Sequence, residues 1–157
     1  MRISPKHLIR AALLLLILLN LAFIFVQSLI PPEKSAAESG AVSEFIEEII
    51  PPETKPGEFV QRNIRKIAHF VEFAALGAEV SLYLLLFFRR RPWIILSFPT
   101  ALITGFLDET LQLFSDRGAS VKDVWIDFFG FVFASVIIYT GYLILYLIRK
   151  KSKQKLS

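Results

Sequence analysis

An all-α integral membrane protein, a four-helix bundle with both termini cytoplasmic, is the fold class this sequence predicts. Three observations carry the prediction. The 157-residue chain is 54% hydrophobic, with mean hydropathy +0.55, too apolar for an ordinary soluble domain. Its apolar residues gather in four runs of about 20, the length that crosses a ~30 Å hydrocarbon core. Its 18 bases and 14 acids are segregated between the segments that separate the runs. Open strands would leave backbone groups unpaired in lipid, so the runs read as helices of one membrane domain, 1–157.

The first helix covers about 8–30, interrupted by Arg10, Asn20, Gln27 and Ser28. Arg2, Lys6 and Arg10 before an apolar stretch also suit a signal peptide, with Ser35-Ala36-Ala37 as its cleavage site. A signal core is about 7–15 residues, and this run is longer, so a retained helix is expected. The segment 31–65 comes next. Over 31–60 it carries Glu33, Glu38, Glu44, Glu47, Glu48, Glu53 and Glu58 against Lys34 and Lys55. Within it Ser43 is a candidate N-cap. Phe45, Ile46, Ile49 and Ile50 share one helical face, and Pro51-Pro52 would end that helix. A short amphipathic helix at the outer surface, or one packed over the bundle, is expected here.

The second helix covers about 67–88, the third 93–114 and the fourth 124–148. Arg89, Arg90 and Arg91 separate the second and third. The tail, 149–157, carries Arg149, Lys150, Lys151, Lys153 and Lys155. The N-terminal, 89–91 and tail segments hold eleven bases and no acid, which makes them cytoplasmic. A pI near 9.5 would suggest nucleic acid in a soluble protein; here the bases flank helices, so no nucleic-acid partner is read. The bilayer is the expected partner, and protein partners are not identified. With no cysteine, disulfides and thiol chemistry are excluded.

This orientation brings ionisable groups to one face. Lys66, His69, Glu72 and Glu79 follow i, i+3, i+4 spacing on the second helix. Ala101, Gly105, Asp108 and Gln112 form a stripe on the third, with Glu109 beside it. Asp123, Asp127, Gly130, Ala134 and Gly141 align on the fourth. Three helices thus present polar groups at matching depth, and charged groups at membrane depth point to function. The structural alternatives are specific. Lys66 and Lys122 can snorkel to the interface. Asp123 can cap the fourth helix. Arg117 can pair with Asp116 or Asp123 and hold the turn 115–120, where Gly118 supplies the permissive position. Glu79 can sit as a neutral acid bonded to a neighbouring helix.

A histidine oriented by carboxylates is an acid/base pair, which gives His69, Glu72 and Asp108 as candidate catalytic residues. Lys66, Glu109, Gln112, Arg117, Asp123 and Asp127 are candidate ligand-binding residues, Arg117 as a forked donor for phosphate or carboxylate. His69, Glu72, Asp108 and Glu109 could form a metal site, but one histidine among carboxylates gives no zinc-type spacing, so no metal or other cofactor is assigned. No Ser-His-Asp motif, phosphate loop or dinucleotide fingerprint is present.

At these residues the chain resembles the VanZ-like family of small bacterial membrane proteins. Gln27-Ser28, with Ser35, Ser39 and Val42, resembles the family's segment after its first helix. Arg65-Lys66-Ile67-Ala68-His69-Phe70-Val71-Glu72-Phe73, then Leu76-Gly77, resembles its K-x-x-H-F-x-E-[YF] motif. Asp108-Glu109-Thr110-Leu111-Gln112-Leu113-Phe114, then Arg117, Ser120, Asp123 and Gly130, resembles its D-E-x-x-Q-x-F…R…S…D…G motif. Where many members have asparagine this chain has Asp127, which can titrate, and Ala134 stands in a glycine position. The resemblance implies an envelope protein of the bacterial cell membrane, since the founding member is associated with resistance to teicoplanin. Three functions remain open: an outward pocket for a lipid-linked or cell-wall precursor that lowers glycopeptide susceptibility, a membrane hydrolase or transferase acting on a lipid-linked phosphate, and a non-catalytic assembly partner. A transporter is disfavoured, because the cytoplasmic half offers no polar residues to continue a pathway.

Overall fold

A computed structural model describes residues 4–88 and 95–154. Arg2, Arg89, Arg90, Arg91, Trp93 and Lys155 lie outside the described residues. Among the described residues there are five α-helices, in the order α1 Pro5–Ser28, α2 Pro32–Glu47, α3 Lys55–Phe87, α4 Ser97–Leu113 and α5 Val121–Gln154. Among the described residues there is no strand. α1, α3 and α5 are long and apolar enough to cross a membrane; α4, with 17 residues, is shorter.

Local chemistry sets the helix ends. Pro5 and Pro32 begin α1 and α2, where a missing N–H is not needed. Pro51-Pro52 closes the stretch after α2. The Thr54 hydroxyl then accepts from the Gly57 amide (3.2 Å), with Pro56 and Glu58 in the first turn. This cap starts α3 at Lys55, well before the expected start near 67. Hydropathy marks only the part of a helix that lipid would cover, whereas polar residues such as Gln61, Arg62 and Asn63 continue the same helix outward. At ~1.5 Å per residue its 33 residues span about 50 Å, more than a bilayer core.

The expected amphipathic helix is replaced by the longer α2. Ser43 lies inside it, bonded to Glu47 (3.3 Å), and does not cap it. No residue of α2 is buried, and Phe45 and Ile49 remain exposed. Gln61 of α3 donates to Glu47 (2.8 Å) and ties α2 alongside.

The helices approach most closely through glycines. A Cβ on Gly77 would run into the Phe131 carbonyl, and one on Gly130 into the Phe70 carbonyl, so α3 and α5 lie nearly backbone to backbone. A Cβ on Gly105 would stand 3.2 Å from Asp127 Cβ, which seats α4 against α5. The buried apolar core is small: Ile24, Phe73, Leu76, Ala101 and Phe131. Many large apolar residues face outward, among them Leu15, Phe106 and Ile137, while Asp108, Glu109, Gln112 and Asp127 are buried. Apolar outside and polar inside is what a lipid solvent selects.

Contacts along the helices give their relative directions. On α1, Arg10 Nε donates to the Tyr83 hydroxyl (2.9 Å) and Asn20 to Glu79 (3.2 Å), so α1 runs antiparallel to α3. Glu79 thus accepts a hydrogen bond from a neighbouring helix, the partner expected for it. Ser97 bonds Tyr139 at 2.8 Å, while Gly105 faces Asp127, so α4 and α5 are antiparallel.

Candidate functional site

The first turns of α5, the last turns of α4 and the middle of α3 converge where α1 ends. His69 on α3 points its Nδ1 between two carboxylates, 3.5 Å from Asp108 Oδ2 on α4 and 3.4 Å from Asp127 Oδ1 on α5. Both aspartates are fully buried; the His69 side chain is 16% exposed. The two aspartates differ in their partners. Asp108 accepts from the Ser28 hydroxyl of α1 and from Gln112 Nε2 (3.0 Å). Asp127 has neither oxygen hydrogen-bonded, and His69 Nδ1 is likewise without an aligned partner.

Glu109 is buried but committed to structure. One oxygen accepts from Gln112 (2.8 Å) and the other from the Ser120 amide (2.7 Å), clasping the end of α4 to the start of α5. The Ser120 hydroxyl accepts from the Lys122 amide (3.2 Å), so Ser120 occupies the capping place expected for Asp123. Asp123 is half-buried at the rim. Lys66 is exposed there.

Arg117 is 7% exposed, and its Nη1 donates to the Gln27 carbonyl (2.8 Å). It makes no ion pair with Asp116 or Asp123 among the described residues. Its Nε is buried without a partner. Burial, then the neighbouring Arg65, lowers its pKa below the usual guanidinium range; a guanidinium keeps its charge all the same. The turn that carries Arg117 takes its left-handed step at Asp116 (φ 56°); Gly118, the expected position, has no positive φ. Aspartate tolerates that conformation, and the Arg117 amide closes on the Gln112 carbonyl (3.1 Å).

Two cavities meet at Arg117 and His69. One, of about 230 Å³, runs beneath α2 and is lined by Phe23, Ser35, Ser39, Val42 and Glu72. The other, of about 480 Å³, is lined by Arg62, Arg65, Lys66, Gln112 and Asp123. Arg65 borders both. Chemically, the arrangement can hold an anion between cationic walls and hold or pass a proton at His69. A metal can be gripped by His69, Asp108 and Asp127, whose donor atoms all lie within 4.8 Å of one another.

All nine candidate residues therefore lie in one region, but in three settings: His69, Asp108 and Asp127 in direct apposition, Glu72, Arg117, Lys66 and Asp123 on cavity walls, and Gln112 and Glu109 as bracing. Sequence reasoning did not single out Ser28, Ser115 and the Gln27 carbonyl as site groups. The Ser115 hydroxyl donates to the Ser28 carbonyl (2.8 Å), so the end of α1 joins the site through three bonds. The Gln27-Ser28 segment of the family pattern was the signal for them.

The family model described as VanZ/LLP1 matches residues 13–148, most of the chain, and the chain belongs to that family. No curated protein and no solved structure matches it.

Proposed function

We propose, starting from membership of the VanZ/LLP1 family, that the protein is a multi-pass component of the bacterial cell membrane whose polar cluster opens to the outer face. There it holds the anionic headgroup of a lipid-linked or cell-wall precursor and so lowers susceptibility to glycopeptides such as teicoplanin. In this reading α4 is a fourth span beside α1, α3 and α5, and both termini are cytoplasmic. Lys6 and Arg10 at the start of α1, and Arg149, Lys150, Lys151 and Lys153 at the end of α5, support that orientation. They sit at the helix ends away from His69, whereas the glutamate-bearing α2 sits beside it.

The observation that carries the reading is Arg117. A buried guanidinium with one unpartnered N–H, on the wall of both cavities and flanked by Arg65 and Lys66, is built to take a phosphate or carboxylate. The test is teicoplanin susceptibility of cells carrying wild type or Arg117→Ala at matched membrane abundance. Wild type should protect and the variant should not. Equal protection by both would remove Arg117, and the pocket with it.

A second reading rests on His69 between two carboxylates: a hydrolase or transferase acting on a lipid-linked phosphate, with His69 as acid/base. It predicts turnover of a purified lipid substrate that disappears in His69→Gln while the protein remains folded. Turnover retained in that variant rejects His69 as the acid/base.

A further inference from the structure

We propose that His69 Nδ1, Asp108 and Asp127 together bind one divalent ion of the zinc class. The linear spacing of one histidine among carboxylates does not announce such a site, because its three ligands come from three helices. The geometry does. A tetrahedral ion with bonds of about 2.0–2.2 Å separates neighbouring donors by about 3.3–3.6 Å. His69 Nδ1 lies 3.5 Å from one aspartate oxygen and 3.4 Å from the other.

A second observation points to a ligand. Asp127 is fully buried, yet neither of its oxygens accepts a hydrogen bond. Among the described residues no lysine or arginine comes within 4 Å of either aspartate. One imidazole can balance at most one of the two buried carboxylates that face it, whereas a divalent cation balances both. His69 Nδ1 is buried and unpartnered as well, and aimed at the same point.

The surroundings match a metal's outer shell. The Ser28 hydroxyl and the Gln112 amide hold Asp108 in orientation, the role that partners of metal ligands play. Gly105 leaves room for Asp127 to approach α4. Glu109 is outside the group: among the described residues, the donor atoms that lie within 4.8 Å of one another are those of His69, Asp108 and Asp127. His69 borders both cavities, so a fourth coordination position would face them.

The experiment uses the full chain, purified in detergent, stripped with a chelator and titrated with Zn2+ in a calorimeter, with no pocket ligand present. Its result is therefore independent of the precursor reading above. A single Zn2+ per chain is expected. Asp127→Asn and His69→Ala should each weaken it by at least about tenfold, with helical content retained, and His7→Ala should not. Co2+ loaded into wild type should show the intense visible absorption of a four-coordinate ion, lost in His69→Ala. No uptake by wild type overturns the proposal. So does unchanged affinity in both site variants, which would put the ion elsewhere, for example on the glutamates of α2. A six-coordinate Co2+ spectrum unaffected by His69→Ala overturns it also, even where Asp127→Asn does not fold.

Discussion

The two ends of this helix assembly are built differently. At the end near His69, four buried polar side chains, Asp108, Glu109, Gln112 and Arg117, are braced by bonds from α1, α4 and the turn between α4 and α5. At the opposite end an exposed Arg10 donates to Tyr83, its guanidinium carbon 5.8 Å from that ring and 5.7 Å from Phe87, and Ser97 bonds Tyr139. The same helices thus carry a desolvated network at one end, and an exposed Arg10 anchor with a part-buried hydroxyl pair at the other. Burial makes the first end sensitive to each polar atom, whereas exposure makes the second tolerant.

Between the two ends the glycine contacts hold α3 on α5, and breaking them should have the largest effect. Gly130→Val sets side-chain atoms against the Phe70 carbonyl, and a loss of about 3 kcal/mol or more is expected. Unfolding of the purified protein in graded denaturing detergent measures it; a stable Gly130→Val protein would mean the helices separate without consequence. Next comes Asp127→Asn in metal-stripped protein. It removes a buried charge that has no hydrogen bond, so stability should rise by about 1 kcal/mol while metal affinity falls. A large destabilisation there would show that the network depends on that charge for its fold.

Two smaller substitutions sharpen the contrast. Asp116→Gly relieves a left-handed backbone and should add about 0.5–1 kcal/mol, because glycine adopts φ 56° freely. A melting temperature below wild type would indicate that the Asp116 side chain is needed at the rim of the larger cavity. Arg10→Ala at the opposite end should cost about 0.5 kcal/mol, since an exposed cation over aromatic rings contributes little. If Arg10→Ala instead matched Gly130→Val, the picture of a tolerant end would be wrong.

Much of this was legible in one dimension. Hydropathy alone separates α1, α3, α4 and α5, because lipid demands long apolar faces whatever the packing. Helical spacing alone predicts that His69, Asp108 and Asp127 reach similar depth. Other features were not legible. The start of α3 at Lys55 depends on the Thr54 cap and on polar turns that hydropathy does not weigh. The left-handed residue is Asp116 rather than Gly118, because the return of the chain to the Gln112 carbonyl sets that dihedral. Asn20 and Glu79 find each other only across two helices.

The sequence by itself determined that this chain is helical, that its long apolar stretches suit a membrane, and which acids, bases and histidine share a level along the helix axes. Periodicity and rise are properties of a single helix, so they need no knowledge of neighbours. Only the tertiary structure decided that Asp108 is braced while Asp127 is bare, that Glu109 clasps rather than binds, and that α1 contributes Ser28 and the Gln27 carbonyl. Those outcomes depend on the rotation of each helix about its axis and on the close approach at Gly77, Gly105 and Gly130, which are set by contacts between segments far apart in the chain.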